Sequence, residues 1–219
     1  MDIQAIVNKR RADLARLKPL KNEHKERARD ILSNAAGAIE KFADQRKVKE
    51  NIRVIPGFFP TPPTKADDMV EIADLGTNDR ILEPEAGAGA IAEAIRRAGF
   101  SCRCIEIHPT LVEILRRKGF DTIHGDFMDH LERYDKIIMN PPFENSQDID
   151  HVLHAFQILN DGGRIVAIMS AGVFYREHTK ARAFREWLEG VGGYWEELPA
   201  GTFQVSGTGV NACLVVINK

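Results

Sequence analysis

The sequence is poor in several things, and each shortage excludes a class of protein. It has three cysteines in 219 residues, too few for a disulfide framework, and Cys102 and Cys104 stand too close for an ordinary bridge. A Cys-x-Cys with no second Cys/His cluster is also a poor zinc site, since a tetrahedral ion needs four ligands or three plus water. The cysteines are therefore expected to be reduced packing residues, with no metal bound. No apolar run approaches the roughly 20 residues that cross a bilayer. The start, Met1-Asp2-Ile3-Gln4, lacks the charged-then-apolar layout of a signal peptide. The expectation is a cytoplasmic protein with no membrane partner.

What remains is the profile of a soluble globular chain, 43% hydrophobic and 28% charged. The formal net charge of −2 hides an asymmetry. Up to Ile55 there are 14 Lys and Arg against 8 Asp and Glu; beyond it there are 16 against 24. A basic arm is joined to an acidic body. The arm keeps helical spacing at Ile3, Ile6, Val7, Leu14 and Leu17 until Pro19, and again at Ala28, Ile31, Leu32, Ala35, Ile39 and Phe42. That spacing predicts a basic N-terminal helical extension over residues 1–55, suited to phosphates or to a protein partner, or simply a solvated helix pair.

Pro56-Gly57 and Pro60-Thr61-Pro62-Pro63 mark the junction. From there to residue 219, helix and strand patterns alternate. Helices are expected at 66–75, 90–98, 110–118, 149–159 and 181–188. Strands are expected at 80–83, 102–107, 122–123, 136–139 and 164–169. Two closing strands near 194–198 and 212–217, with glycines but no helix between them, suggest an antiparallel hairpin. The fold class that follows is α/β, a doubly wound, mostly parallel sheet ending in that hairpin. Such sheets bind ligands where the strands end, at the point where strand order reverses.

The strand ends hold the informative residues. After the first comes Glu83-Pro84-Glu85-Ala86-Gly87-Ala88-Gly89, whose small residues let the backbone approach a ligand at a helix N-terminus. Two carboxylates there disfavour a phosphate and suit a cofactor with positive charge. The second strand ends at Glu106, Ile107 and His108, where an acid about 20 residues past the glycines accepts two ribose hydroxyls. The third ends at Asp126 and Phe127, fit to receive an adenine amino group and its ring. The fourth ends in Asn140-Pro141-Pro142-Phe143. Asn140 offers a side-chain acceptor and Pro141 a carbonyl on a backbone stiffened by proline. Two fixed acceptors can draw a flat aromatic amine into the pyramidal geometry in which its lone pair attacks a methyl sulfonium. Phe143 supplies a face on which an extruded base stacks.

From about Phe58 to Lys219 the chain resembles the S-adenosylmethionine-dependent DNA adenine amino-methyltransferases, in the class whose cofactor motifs precede the catalytic motif. The resemblance implies a Rossmann-like class I methyltransferase domain over 56–219, with S-adenosylmethionine as cofactor and DNA favoured over RNA as substrate. By that likeness Thr61, Pro62, Glu83, Gly87 and Gly89 border the cofactor's methionine part and Glu106 takes its ribose, with Ala86, Ile107 and Asn140 also counted among the cofactor-binding residues. Asp126 and Phe127 take its adenine, and Asn140 to Phe143 the target base. The tail from Thr202 to Thr208 looks like that of family members carried by phages and mobile elements.

Two features depart from the family. Glu85 stands where a small or hydroxyl residue is usual, and no target-recognition domain follows the body, which implies low or partner-supplied specificity. RNA adenine and a protein glutamine amide remain alternative substrates, although the glutamine enzymes usually end the fourth-strand motif in Tyr. His151 and His154, one helical turn apart, are expected on a helix surface. Phe174 and Tyr175 are expected at the base pocket or in packing, and Trp187 and Trp195 in the core.

Overall fold

The computed structural model describes residues 33–34, 59–204 and 209–219. The chain divides into two compact units, Met1–Pro56 and Gly57–Lys219. Ser33 and Asn34 are helical and exposed; the rest of the expected helical extension lies outside the described residues, as do residues 205–208 of the tail.

Within the second unit, helix α1 spans Pro63–Ala73 and strand β1 Ile81–Glu83. They are followed by α2 over Ala90–Arg97, β2 over Arg103–Glu106, α3 over Pro109–Arg117 and β3 over Asp121–His124. A 3-10 turn at Phe127–Asp129 leads to β4, Tyr134–Met139. A second, Glu144–Ser146, leads to α4, Gln147–Ile158. Then come β5, Leu159–Ser170, a single-turn α5, Gly172–Tyr175, and α6, Thr179–Gly190. Strands β6, Tyr194–Glu197, and β7, Ala212–Asn218, close the unit.

The seven strands lie in the order β3-β2-β1-β4-β5-β7-β6. All neighbours are parallel except those of β7, which runs antiparallel to β5 and to β6. The closing pair is thus antiparallel as expected, with its second strand slotted between β5 and β6. Ile137, Ile138 and Met139 on β4 are fully buried, as a central strand covered on both faces requires. The helices bury one stripe each: α2 turns Ile91, Ala92, Ala94 and Ile95 inward and ends in Arg96 and Arg97, where cations suit the helix dipole.

Strand β5 begins five residues before the expected start. Its first stretch, Leu159 to Gly163, holds two glycines and no alternating pattern. Gly162 takes φ +78°, and a Cβ on Gly163 would come within 2.7 Å of the Asp135 carbonyl oxygen, so backbone proximity fixes this segment where periodicity could not.

Strand order reverses between β1 and β4. These two pair directly, with Ile81 beside Lys136 and Leu82 beside Ile137. Three residues further along each strand stand Glu85 and Asn140, so the two loops singled out by sequence leave the sheet side by side.

Candidate active site

The loop after β1 is built by its own backbone. Ala86 N–H donates to the Ile105 carbonyl at 2.8 Å, and Gly89 N–H to that of Ala86 at 2.8 Å. Gly87 and Gly89 have φ +57° and +84°. A Cβ on Gly89 would lie 2.8 Å from Leu115 Cδ2, so this position requires glycine both for conformation and for space. Lys118 braces the outer side, its Nζ donating to the Ala88 carbonyl at 2.7 Å and to Glu93 at 2.6 Å. Sequence reasoning passed over Lys118, because only folding brings the end of α3 to this loop.

Each acid at the strand ends has a distinct role. Glu83 is buried and its Oε2 accepts from Ala92 N–H at 2.7 Å, so it serves the first turn of α2. Burial pushes its carboxyl well above the usual range, and the nearby Cys102 adds to that. Glu83, Cys102 and Cys104 bring their ligand-type atoms within 4.8 Å of one another, and all three cysteines of the chain are free and buried.

Glu106 is buried and holds the loop together. Its Oε2 accepts from Gly87 N–H and its Oε1 from His108 N–H, both at 2.7 Å. A carboxylate has about four acceptor positions, so these two bonds orient Glu106 and leave capacity for hydroxyl donors. Ile107 beside it is 63% exposed, an apolar surface at the strand end.

At the third strand end, Asp126 Oδ1 accepts from Met128 N–H at 2.9 Å and so caps the 3-10 turn. The Phe127 ring is turned into the core, only 2% exposed, edge-on to His154 with centroids 4.9 Å apart. It departs from the expected packing of that ring on a cofactor's adenine.

The loop after β4 is held by distant residues. Asn140 Nδ2 donates to Thr61 Oγ1 at 3.1 Å and to the Phe59 carbonyl at 3.3 Å. Because a carbonyl only accepts, this fixes which end of the amide faces the N-terminal strap and turns Oδ1 the other way. Thr61 and Pro62 are buried, and Pro62 caps α1 through its carbonyl to Ala66 N–H at 3.0 Å. Thr61 thus acts directly on Asn140. Pro141 is buried and Pro142 partly so, while Phe143 rests one side on the core cluster that includes Ala66 and Met69.

Beyond it Asn145 and Ser146 take φ +53° and +57°, two consecutive left-handed residues without glycine, the kind of strain that persists where surroundings enforce it. Lys180 of α6 is one enforcer, donating to the Ser146 carbonyl at 2.8 Å and to Asp150 at 2.6 Å. Asp148 is another. Fully buried, it accepts from Ser170 N–H at 2.9 Å and ties the start of α4 to the end of β5; burial pushes its carboxyl up to about 6.

The expectation for His151 and His154 is corrected. Both are buried. His154 Nε2 bonds the His130 carbonyl oxygen at 2.9 Å, and His151 Nδ1 is hydrogen-bonded to Glu85. They flank the apolar stripe of Ile149, Val152 and Ala155, and α4 is buried over a wider arc than that stripe alone suggests. Phe174 packs in the core and stacks on Trp195 at 4.2 Å, Tyr175 is exposed, and Trp195 is 38% exposed on the outermost strand instead of in the core. Trp187 is partly buried against the core beside Phe156.

No protein-family model matches the chain. A curated relative, "Probable ribosomal RNA small subunit methyltransferase A" of Methanosarcina barkeri, is 31% identical over 100 residues, which are 42% of this chain and 35% of that protein. The chain therefore spans about a third of the length of the curated relatives it matches. Among solved structures, the EcoKI M protein of a type I restriction enzyme superposes with a TM-score of 0.63 at 15% identity, covering 99% of this chain and 55% of that one. TrmN from Thermus thermophilus gives 0.52 at 18% identity, covering 72% and 48%. The fold is that of the Rossmann-like class I methyltransferases. Among the described residues no helix is long and apolar enough to cross a membrane.

Proposed function

We propose that this protein transfers the methyl group of S-adenosylmethionine to the exocyclic amino group of adenine in DNA. One observation carries the reading. Asn140, at the end of a central strand and beside the glycine loop, has its amide N–H₂ held by Thr61 and Phe59, so that its oxygen faces away from them.

The residues around the loop after β1 fit a cationic adenosine cofactor. Glu106 is oriented by two backbone donors and retains acceptor capacity for ribose hydroxyls. Glu85 carries a buried oxygen without a hydrogen-bond partner, a fit for a donor-bearing cation. When bound, this cofactor supplies an electrophilic methyl carbon on a sulfonium and leaves as a neutral thioether. The rest is the work of the chain. Asn140 Oδ1 and the Pro141 carbonyl accept the two N–H groups of the target amine. They stabilise its pyramidal form as the nitrogen lone pair turns toward the methyl carbon, which is stabilisation aimed at the transition state, and the one N–H proton displaced by the methyl group passes to solvent. Phe143 stacks on the base, and the braces from Thr61, Lys180 and Asp148 keep the loop from relaxing. The basic stretch before Pro56 provides positive charge for phosphates.

A second reading keeps the chemistry and replaces DNA by RNA; the ribosomal RNA methyltransferase name of the curated relative favours it. One experiment separates the two. The protein is expressed in a host without adenine methylation of its own, and DNA and RNA are hydrolysed for mass spectrometry beside an Asn140→Ala control. Methyladenine in DNA that vanishes in the control is expected. Methyladenine in RNA alone moves the substrate to the second reading, and none in either fraction removes both.

A further inference from the structure

The loop after β1 holds a carboxylate with one buried oxygen that the described residues leave unsatisfied. Glu85 has φ +56°, in the left-handed region where a residue with a Cβ is uncommon. Folding holds it there through a bond to an element far along the chain: one oxygen, Oε1, meets His151 Nδ1 on α4. The other, Oε2, is buried with no hydrogen-bond partner among the described residues. Nearly every buried acceptor finds a donor, and the exceptions call for a cause. A strained backbone enforcing an unsatisfied acceptor is a combination that folding stability alone does not favour.

The surroundings define what could satisfy it. Glu106 from β2 and Asp126 beyond β3 both act on Glu85 through their negative charge, and Asp126 and Asp150 act likewise on His151. Against Glu85 itself lies the His151 imidazole: burial lowers its pKa, but its bond to Glu85 and the adjacent negative charge outweigh that and hold it above its ordinary value, while Asp150 is paired with Lys180. With Asp150 so paired, the carboxylates of Glu85, Glu106 and Asp126 against the one imidazole of His151 leave a negative surplus beside a loop fit for an adenosine. The complementary ligand feature is a small cation with several N–H donors.

We propose that Glu85 is the seat of the ammonium at the amino-acid end of the sulfonium cofactor, with Oε2 accepting from it and His151 positioning the carboxylate through Oε1. This rests on the cofactor reading above and goes further in assigning a residue where the family resemblance supplies none. The ammonium provides the donor that Oε2 lacks. Binding requires the ionised carboxylate. Burial raises the Glu85 carboxyl above its usual value, more than His151 lowers it, so affinity falls as the pH is lowered through that raised value.

The test is calorimetry on the full chain with two ligands that share an adenosine: S-adenosylhomocysteine, which has the ammonium, and 5′-methylthioadenosine, which lacks the whole amino-acid end. Glu85→Gln keeps the size and removes the charge. It is expected to weaken S-adenosylhomocysteine about tenfold or more, as for a lost hydrogen bond between charged groups, and to leave 5′-methylthioadenosine within about twofold. It also abolishes the fall in S-adenosylhomocysteine affinity toward acid pH. His151→Gln, which keeps a donor for Oε1, is expected to weaken the same ligand by a smaller factor, and circular dichroism checks that both variants fold. Equal losses for the two ligands, or no loss for either, would overturn the proposal while leaving the cofactor reading intact. Failure of the wild-type protein to bind either ligand would remove the cofactor reading and this assignment with it.

Discussion

The loops after β1 and β4 leave neighbouring strands at the same level, yet they are made rigid in opposite ways. The first is held largely from within, through Ala86, Gly87 and Gly89 and an acid 19 residues on from Gly87. The second is held from outside, by Thr61 79 residues before Asn140 and by Lys180 34 residues after Ser146. The difference matches the two tasks proposed for them. A cofactor common to many enzymes can be met by a short, self-contained loop, whereas a seat for one base must be placed by the tertiary structure around it. It also predicts unequal consequences of mutation: changes in the first loop should appear in cofactor affinity and stability, and changes in the second in kcat.

The sharpest break in that contrast is Asn140→Ala. Removing a transition-state acceptor is expected to lower kcat by about 10²–10³-fold, with little change in cofactor affinity; a similar loss in both would mean that Asn140 belongs to the cofactor seat. Glu106→Ala is the counterpart, expected to weaken cofactor binding by about 1–3 kcal/mol in calorimetry. Gly89→Ala forces a Cβ against Leu115 at φ +84°. It should cost about 1–3 kcal/mol of stability, read from the midpoint of urea unfolding, and an unshifted midpoint would show that the loop can relax. Thr61→Val keeps the shape and deletes the oxygen that holds Asn140. An effect of about 1 kcal/mol on the kcat barrier is expected, with unfolding nearly unchanged.

The smallest effect concerns Asp148, whose folded-state carboxyl titrates near 6, above its unfolded value. The native state then binds more protons than the unfolded one between the two values. This contribution to stability is fully present below the unfolded value and is lost as pH rises through about 6. Asp148→Asn should flatten that part of the stability profile, measured by chemical unfolding between about pH 3 and about pH 7, roughly one unit beyond the unfolded and folded values.

Much of the first loop could be read from the sequence because its constraints are local. Glycines, a strand end and an acid some 20 residues downstream lie within one strand-helix-strand unit, and the boundaries of β1, α2 and β2 fall within a residue or two of those expected. The second loop was legible in its motif but not in its supports. Nothing in the spacing of Asn140 and Thr61 states that one holds the other, and Lys180 looks like any exposed lysine on an amphipathic helix. His151 failed for a related reason: its partner, Glu85, is visible in sequence only as an unusual residue in a glycine loop, and the pair exists only once α4 is laid across the sheet. Phe127 stands at an expected place, but its ring lies in the core against His151 and His154, neighbours that only the fold supplies. Five early residues of β5 were hidden because Gly163 serves the close approach of the Asp135 backbone and Gly162 a left-handed turn of the chain.

The central claim is that Asn140 Oδ1 and the Pro141 carbonyl together grip the amine of an adenine ring. A crystal structure of the protein with sinefungin and adenosine bound tests it most directly. The account predicts the ring against Phe143 and its amino nitrogen within about 3.2 Å of both oxygens. A ring bound elsewhere, or a corner beside Phe143 that stays closed by side chains with both ligands present, would contradict it.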